Sequence, residues 1–265
     1  MAELTSGRWT AVVAAGERPG VNALAAHFNE TAKALIPIGG EAMISRVVHC
    51  LLAAPSIGRV VIMAQDHEAL TKKKGTEWLA CDERVTFARS EGSLSRSLAE
   101  FAGTEVAPWP VLVTTADHPL LTPAIVEAFL KDAGDVDVAV GMVDRESMLP
   151  RFVQSKRTWM RFSDGAFTGA NLFAFNGAPA RLALAVWVRV EQSRKAPWVV
   201  FSHFGPWLLL RAVTRTISVR SGIKNAGARI GVRAKPVILP FAEAAIDVDR
   251  LADHTLAEAI FAGEI

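Results

Sequence analysis

Only two cysteines occur in 265 residues, Cys50 and Cys81, which leaves no disulfide framework and no paired spacing for zinc. That fits a reducing compartment, and a cytoplasmic protein is expected. Charge of one sign is equally scarce. The 29 Lys and Arg stand against 27 Asp and Glu, a net charge of +2, so there is no basic field of the kind that holds nucleic acid. Any anion must be bound by local clusters. Apolar runs of membrane length are also missing. The richest stretch, 197–213, is broken by His203, Gly205, Pro206 and Arg211, which argues against stable membrane insertion and leaves core packing or a subunit contact favoured over peripheral membrane contact; a homodimer is among the expected assemblies. The opening MAELTSGRWTAVVAA carries an early acid and a short run that reads as a strand, not as a secretory leader. With no internal repeat and no low-complexity linker, a single domain over 1–265 is expected.

What the chain does have is apolar patterning. Hydrophobic residues make up 51% and charged residues 21%, a balance that suits a folded core. In the first half, strand-length runs at 9–14, 59–64, 84–88, 111–115 and 136–143 alternate with helix-period segments, which predicts a parallel sheet with crossover helices. Met43, Ile44, Val47, Val48 and Leu51 form one helical face, with Pro55 just past its end. Thr122 and Pro123 supply the cap and first position of another helix, with Ile125, Val126, Phe129 and Leu130 facing inward. The second half loses this rhythm. Asp164 and Gly165 read as the turn of a hairpin between 158–162 and 166–168. A helix over 179–194, helical pieces to about 224, a strand near 232–239 and a final helix over 251–262 follow. The hairpin and helices of about 145–230 are expected to form an insertion, a lid or an acceptor side.

In an open parallel sheet, ligands sit beyond the carboxyl ends of the strands, so the segments leaving those ends carry the candidate chemistry. After the first strand, Gly16 lets the backbone approach a phosphate, Arg18 adds a forked cation, and Lys33 can neutralise charge on a phosphoryl group. After the 111–115 strand, Asp117 is a carboxylate at the end of an apolar run, costly unless a cation or a helix or turn cap compensates it. His118 beside it reads as a structural neighbour more readily than as a base. Asp247 and Asp249 alternate just before the last helix, where extended backbone turns both to one side and Asp249 can also cap. Gly169 and Asn171 open an apolar strand, and Asn171 can donate to and accept from a polyol. Nearby Arg145, Arg151, Lys156, Arg157 and Arg161 suit either a phosphorylated acceptor or a solvated hairpin face. In GSLSRS, 92–97, Ser93 and Ser95 read as helix caps or as nucleobase contacts.

Taken in order, these segments resemble the MobA-like nucleotidyltransferases. The resemblance rests on VVAAGERPG in the first loop, Lys33 followed by PIGGEAMI, Asp117 in TTADHPLL, and DVDRLADH over 247–254. Where the family has its second glycine, this chain has Arg18. The resemblance implies a Rossmann-like three-layer α/β/α fold with a mostly parallel mixed sheet, the nucleotide-diphospho-sugar transferase arrangement. It implies transfer of a nucleoside monophosphate from a triphosphate to a small-molecule acceptor, with pyrophosphate released. Mg²⁺ would be held by Asp117 and Asp249, with Asp247 as the alternative ligand. Lys33 and Arg18 would be catalytic, and Ala14, Ala15, Gly16, Glu17 and Arg18, with Ser93 and Ser95, would seat the nucleotide. Gly169, Asn171 and Arg157 would meet the acceptor. The Ala14-Ala15-Gly16 loop leans towards members that use CTP. Two other readings stand beside this one: a glycosyltransferase of related fold that uses Asp247 and Asp249 as its D-x-D pair, and a non-catalytic nucleotide-binding regulator.

Overall fold

The computed structural model describes residues 8–17, 20, 22–90, 93–152, 157–192 and 205–265. Its frame is an eight-stranded mixed sheet of order β10-β7-β9-β6-β1-β4-β5, with β8 paired to β9. The strands are β1 (Trp9–Ala14), β4 (Ile57–Ala64), β5 (Val85–Arg89), β6 (Val111–Thr115), β7 (Val138–Asp144), β8 (Met160–Phe162), β9 (Gly165–Phe175) and β10 (Ala234–Ile238). A separate short hairpin joins β2 (Pro37–Ile38) to β3 (Glu41–Ala42). The central pairs β6-β1-β4-β5 and the outer pair β10-β7 are parallel, while β9 runs antiparallel to both β6 and β7.

Period-two side-chain alternation makes this a three-layer structure. On β1, Ala11 and Val13 face one apolar cluster and Val12 the other; on β4, Val60 and Ile62 part from Val61 and Met63 in the same way. The first cluster takes α2 (Met43–Ala53) and α5 (Pro123–Ala133), with Leu51 and Phe129 fully buried. The second takes Leu98 of α4 (Leu94–Phe101) and Leu184 of α7 (Ala180–Gln192). Each such side chain contributes about 1.5–3 kcal/mol relative to exposure. Because β1, β4 and β6 are covered on both faces, they read as nearly unbroken apolar runs. Thr122 caps α5 by accepting the Ile125 N–H at 3.3 Å, and Pro123 follows in the first turn.

The second half departs from the expected division. The Asp164-Gly165 turn forms, with Gly165 at φ 141°, but its second strand runs on to Phe175. Lying between β6 and β7, β9 is integral to the sheet, so this part of 145–230 belongs to the core and is not appended to it. The reason is burial: Leu172, Ala174 and Phe175 are covered on both faces. Against β7, Val140 pairs with Phe173 but Met142 pairs with Gly169, so β9 carries two extra residues there. Asn171 sits in this bulge at φ 49°, a conformation that Asn tolerates better than most residues. The strand expected over 136–143 runs from Val138 to Asp144, and just before it the Asp137 carboxylate accepts the Arg233 N–H. Among the described residues, no helix is long and apolar enough to cross a membrane. Residues 193–204, which include the first eight residues of the apolar 197–213 stretch, lie outside the described residues, as do Arg18, Gly92 and Lys156.

Candidate active site

The parallel strands β1, β4 and β6 deliver three loops to one end of the sheet. β1 ends at Ala14, whose carbonyl accepts from Ala116 N at 3.0 Å, while Ala15 donates its N–H to Met63 O at 2.9 Å. Gly16 follows on the surface. A Cβ there would meet the Gln65 side-chain amide at 3.2 Å, so the missing side chain lets Gln65 close on the loop. Gln65 accepts from Glu17 N at 2.9 Å and donates to Glu17 O at 3.0 Å, a reciprocal brace on both backbone groups of one residue. The Glu17 carboxylate accepts the main-chain N–H of Lys33, tying the two ends of the loop together. A cleft of about 640 Å³ opens here, lined by Ala15, Glu17, Gly20, Thr31, Gln65 and Asp66.

Lys33 begins a 3₁₀ turn, and its ammonium is 2.5 Å from Asp117 Oδ2 and 2.5 Å from Asp249 Oδ1. One cation thus joins carboxylates from the end of β6 and from the segment before the last helix (Leu251–Phe261). Burial works against the charged amine, but the charges and hydrogen bonds of Asp117 and Asp249 outweigh it and raise the Lys33 pKa above its ordinary value. Asp117 carries a further mark: its Oδ1 is buried and lacks a hydrogen-bond partner. A buried carboxylate oxygen left bare costs free energy unless a ligand or cation fills the position. His118 is buried with both ring nitrogens short of a hydrogen bond. Desolvation by burial is the largest cause that moves its pKa, and it lowers it below the ordinary value.

Asp247 and Asp249 turn to different partners. Asp247 is engaged by Arg157 and by Asn171, whose Nδ2 donates at 3.1 Å, while Asp249 faces Lys33 with a side chain 62% exposed. Asp247 therefore sits in a protein ion pair, apart from the Lys33 cluster. Nor does Asp249 cap the last helix, since Arg250 occupies that position and its N–H is accepted by Asp253 at 3.0 Å. Arg157 is almost wholly buried, spent on Asp247 and on Asp253 at 3.3 Å. Gly169 is exposed, with open space where a Cβ would stand. A second cleft, of about 820 Å³, lies beyond the ends of β7 and β10 and is lined by Asp144, Arg145, Asp164, Phe167 and Ile238.

The serines take local roles. Ser93 caps α4 by accepting Arg96 N at 3.4 Å, while Ser95 is buried and gives its hydroxyl to Glu191 of α7. Gln65 and Asp253 were not anticipated. The Glu17-to-Lys33 contact was visible only as residues of one loop, with nothing in their spacing to join them.

The MobA-like NTP transferase domain matches residues 11–201, and the chain belongs to that family. A hypothetical transferase from Thermus thermophilus superposes with a TM-score of 0.76 at 29% identity, over 93% of this chain and 99% of that one. A 4-diphosphocytidyl-2C-methyl-D-erythritol synthase from Anaerococcus prevotii shares the fold at a TM-score of 0.57 and 10% identity, over 98% of both chains. A CMP:2-keto-3-deoxy-manno-octonic acid synthetase, solved with CTP, does so at 0.57 and 15%, over 97% of this chain and 100% of that one. No curated protein gives a significant match. The sheet is thus the mostly parallel, mixed sheet of the nucleotide-diphospho-sugar transferases, as the sequence implied.

Proposed function

We propose that this protein transfers a nucleoside monophosphate from a nucleoside triphosphate, with CTP the favoured donor, to a phosphate or hydroxyl of a small-molecule acceptor, releasing pyrophosphate. The observation that carries the reading is the convergence of Lys33, Asp117 and Asp249 at the carboxyl ends of β1 and β6. CTP is favoured because the Ala14-Ala15-Gly16 loop resembles that of family members that use pyrimidine nucleotides, and because relatives of the same fold are named for cytidylyl transfer or were solved with CTP.

The residues fit a magnesium ion. Asp117 offers a bare buried oxygen and Asp249 an accessible carboxylate, and among the described residues no group of three His, Cys, Asp or Glu could form a cage. Two carboxylates completed by substrate phosphates are the donor set that Mg²⁺ favours. When bound, the ion would neutralise phosphate charge and polarise the α-phosphate. Lys33, kept protonated by its two aspartates, would follow the charge that builds on the leaving pyrophosphate. The braced Gly16-Glu17 peptide would hold the triphosphate loop, with Arg18 as a further cation. The acceptor would enter past Gly169, with the 820 Å³ cleft to receive its body. In-line attack needs little covalent help, so positioning does most of the work.

A thermal-shift screen of ATP, CTP, GTP and UTP, each with and without Mg²⁺, tests this. CTP with Mg²⁺ should raise Tm most, because a ligand at one hundred times its Kd adds about 2.7 kcal/mol to stability. Absence of a shift with all four would overturn the proposal.

A further inference from the structure

Three consecutive residues ahead of the last helix are each fixed to a different element. Asp247 is gripped from two sides: Arg157 forks between its carboxylate and that of Asp253 and also donates to the Asp247 carbonyl at 3.2 Å, while Asn171 donates to the other carboxylate oxygen at 3.1 Å. Val248 is fully buried and donates its N–H to the Asp117 carbonyl at 2.9 Å. Asp249 comes next, and its carboxylate is brought to Lys33 beside Asp117. The β9 bulge is what aims Asn171 at Asp247, since a regular strand would not place an Asn at φ 49° there. Arg157 lines neither of the two clefts described, and its side chain is only 9% exposed.

We infer that Arg157 and Asn171 are positioning residues that act through Asp247 to hold Asp249 beside Asp117, and that they are not ligands of the acceptor. The inference rests on the nucleotidyl-transfer reading, in which Asp117 and Asp249 share a divalent ion. A clamp of this kind fixes the direction of a carboxylate before the ion arrives, as outer partners of metal ligands do.

The test is Mn²⁺ binding to the full chain, read by electron paramagnetic resonance with and without CTP, so that no acceptor is needed. Arg157→Met should weaken Mn²⁺ binding by about 10- to 100-fold, the range for losing an outer-shell partner. Arg157→Lys, which keeps the charge but loses the fork, should recover part of the loss. Asn171→Gly keeps the positive φ and removes only the amide, and should weaken binding several-fold. Arg233→Met, which breaks an ion pair at the opposite end of β10, should leave Mn²⁺ affinity unchanged and so separates positioning from general loosening. Wild-type Mn²⁺ affinity in folded Arg157→Met and Asn171→Gly would overturn the inference. Should Arg157→Met fail to fold, Asn171→Gly decides alone. If the wild type shows no Mn²⁺ signal that Asp117→Asn removes, the metal reading fails, and this inference with it.

Discussion

The two ends of the sheet both carry ion networks, and they differ in kind. At the amino end of β10, Arg233 meets Asp137 through Nε at 3.2 Å and Nη2 at 2.9 Å, and its main-chain N–H adds a third bond at 2.7 Å. Lys235 nearby pairs with Asp132. At the carboxyl end, the charges of Lys33, Asp117 and Asp249 converge from segments 84 and 216 residues apart, and one oxygen is left bare. The first arrangement also joins segments about 100 residues apart in sequence, but it ties the starts of the paired strands β10 and β7 together and closes on itself. The second leaves a buried acceptor open, which a stability-driven design would not keep. That contrast is the ground for proposing the carboxyl-end cluster, and not the Arg233 network, as the site.

The largest effect should come from breaking the open network. Lys33→Ala or Asp117→Asn should lower pyrophosphate release from CTP by about 10²- to 10³-fold, the scale of losing one preorganised electrostatic contact. Circular dichroism should be unchanged. Activity near the wild-type level in either variant would remove the carboxyl-end cluster from the chemistry and make the two ends alike.

How much of this the sequence carried depends on how local the cause is. The Thr122-Pro123 start of α5 and the Met43–Ala53 helix were legible because caps and apolar periodicity act within a few residues. The strands β1 and β6 were legible because burial on both faces leaves an unbroken apolar run. Lys33, Asp117 and Asp249 were nominated from strand ends and from the family resemblance, but their meeting at one ammonium is a fact of topology. The Arg157 grip on Asp247 spans 90 residues and the Gln65 brace on Glu17 spans 48, distances over which spacing says nothing. The β9 bulge was hidden as well. Ala170, Asn171 and Leu172 look like a plain strand, and only pairing with β7 shows the two extra residues.

A smaller effect is expected from a residue whose role the structure makes local. Ser95→Ala removes a hydroxyl that bridges α4 to Glu191 of α7, at a cost of about 1.5–3 kcal/mol, the range for a hydrogen bond to a charged group. Chemical denaturation measures it. The Tm increment that CTP with Mg²⁺ produces should match the wild type. A selective loss of that increment would return Ser95 to the nucleotide and extend the site towards α4.

The smallest effect belongs to the closed network and is visible mainly in its pH dependence. Hydrogen bonding to Arg233 is the largest cause of the lowered Asp137 pKa, against an ordinary value of 3.8, with desolvation opposing it. A depressed carboxylate binds fewer protons in the folded state than in the unfolded one, so its contribution is complete above about pH 3.8 and is lost as pH falls through the folded value. Asp137→Asn should therefore lower Tm slightly at neutral pH, and the difference from wild type should shrink below about pH 3.8. The difference stays small because the Arg233 side chain is 63% exposed and solvent screens the pair. Thermal melts at pH 7 and pH 3 measure it. A difference that grew as the pH fell would mean that Asp137 is stabilised as its neutral form, and the closed network would then need a partner other than Arg233.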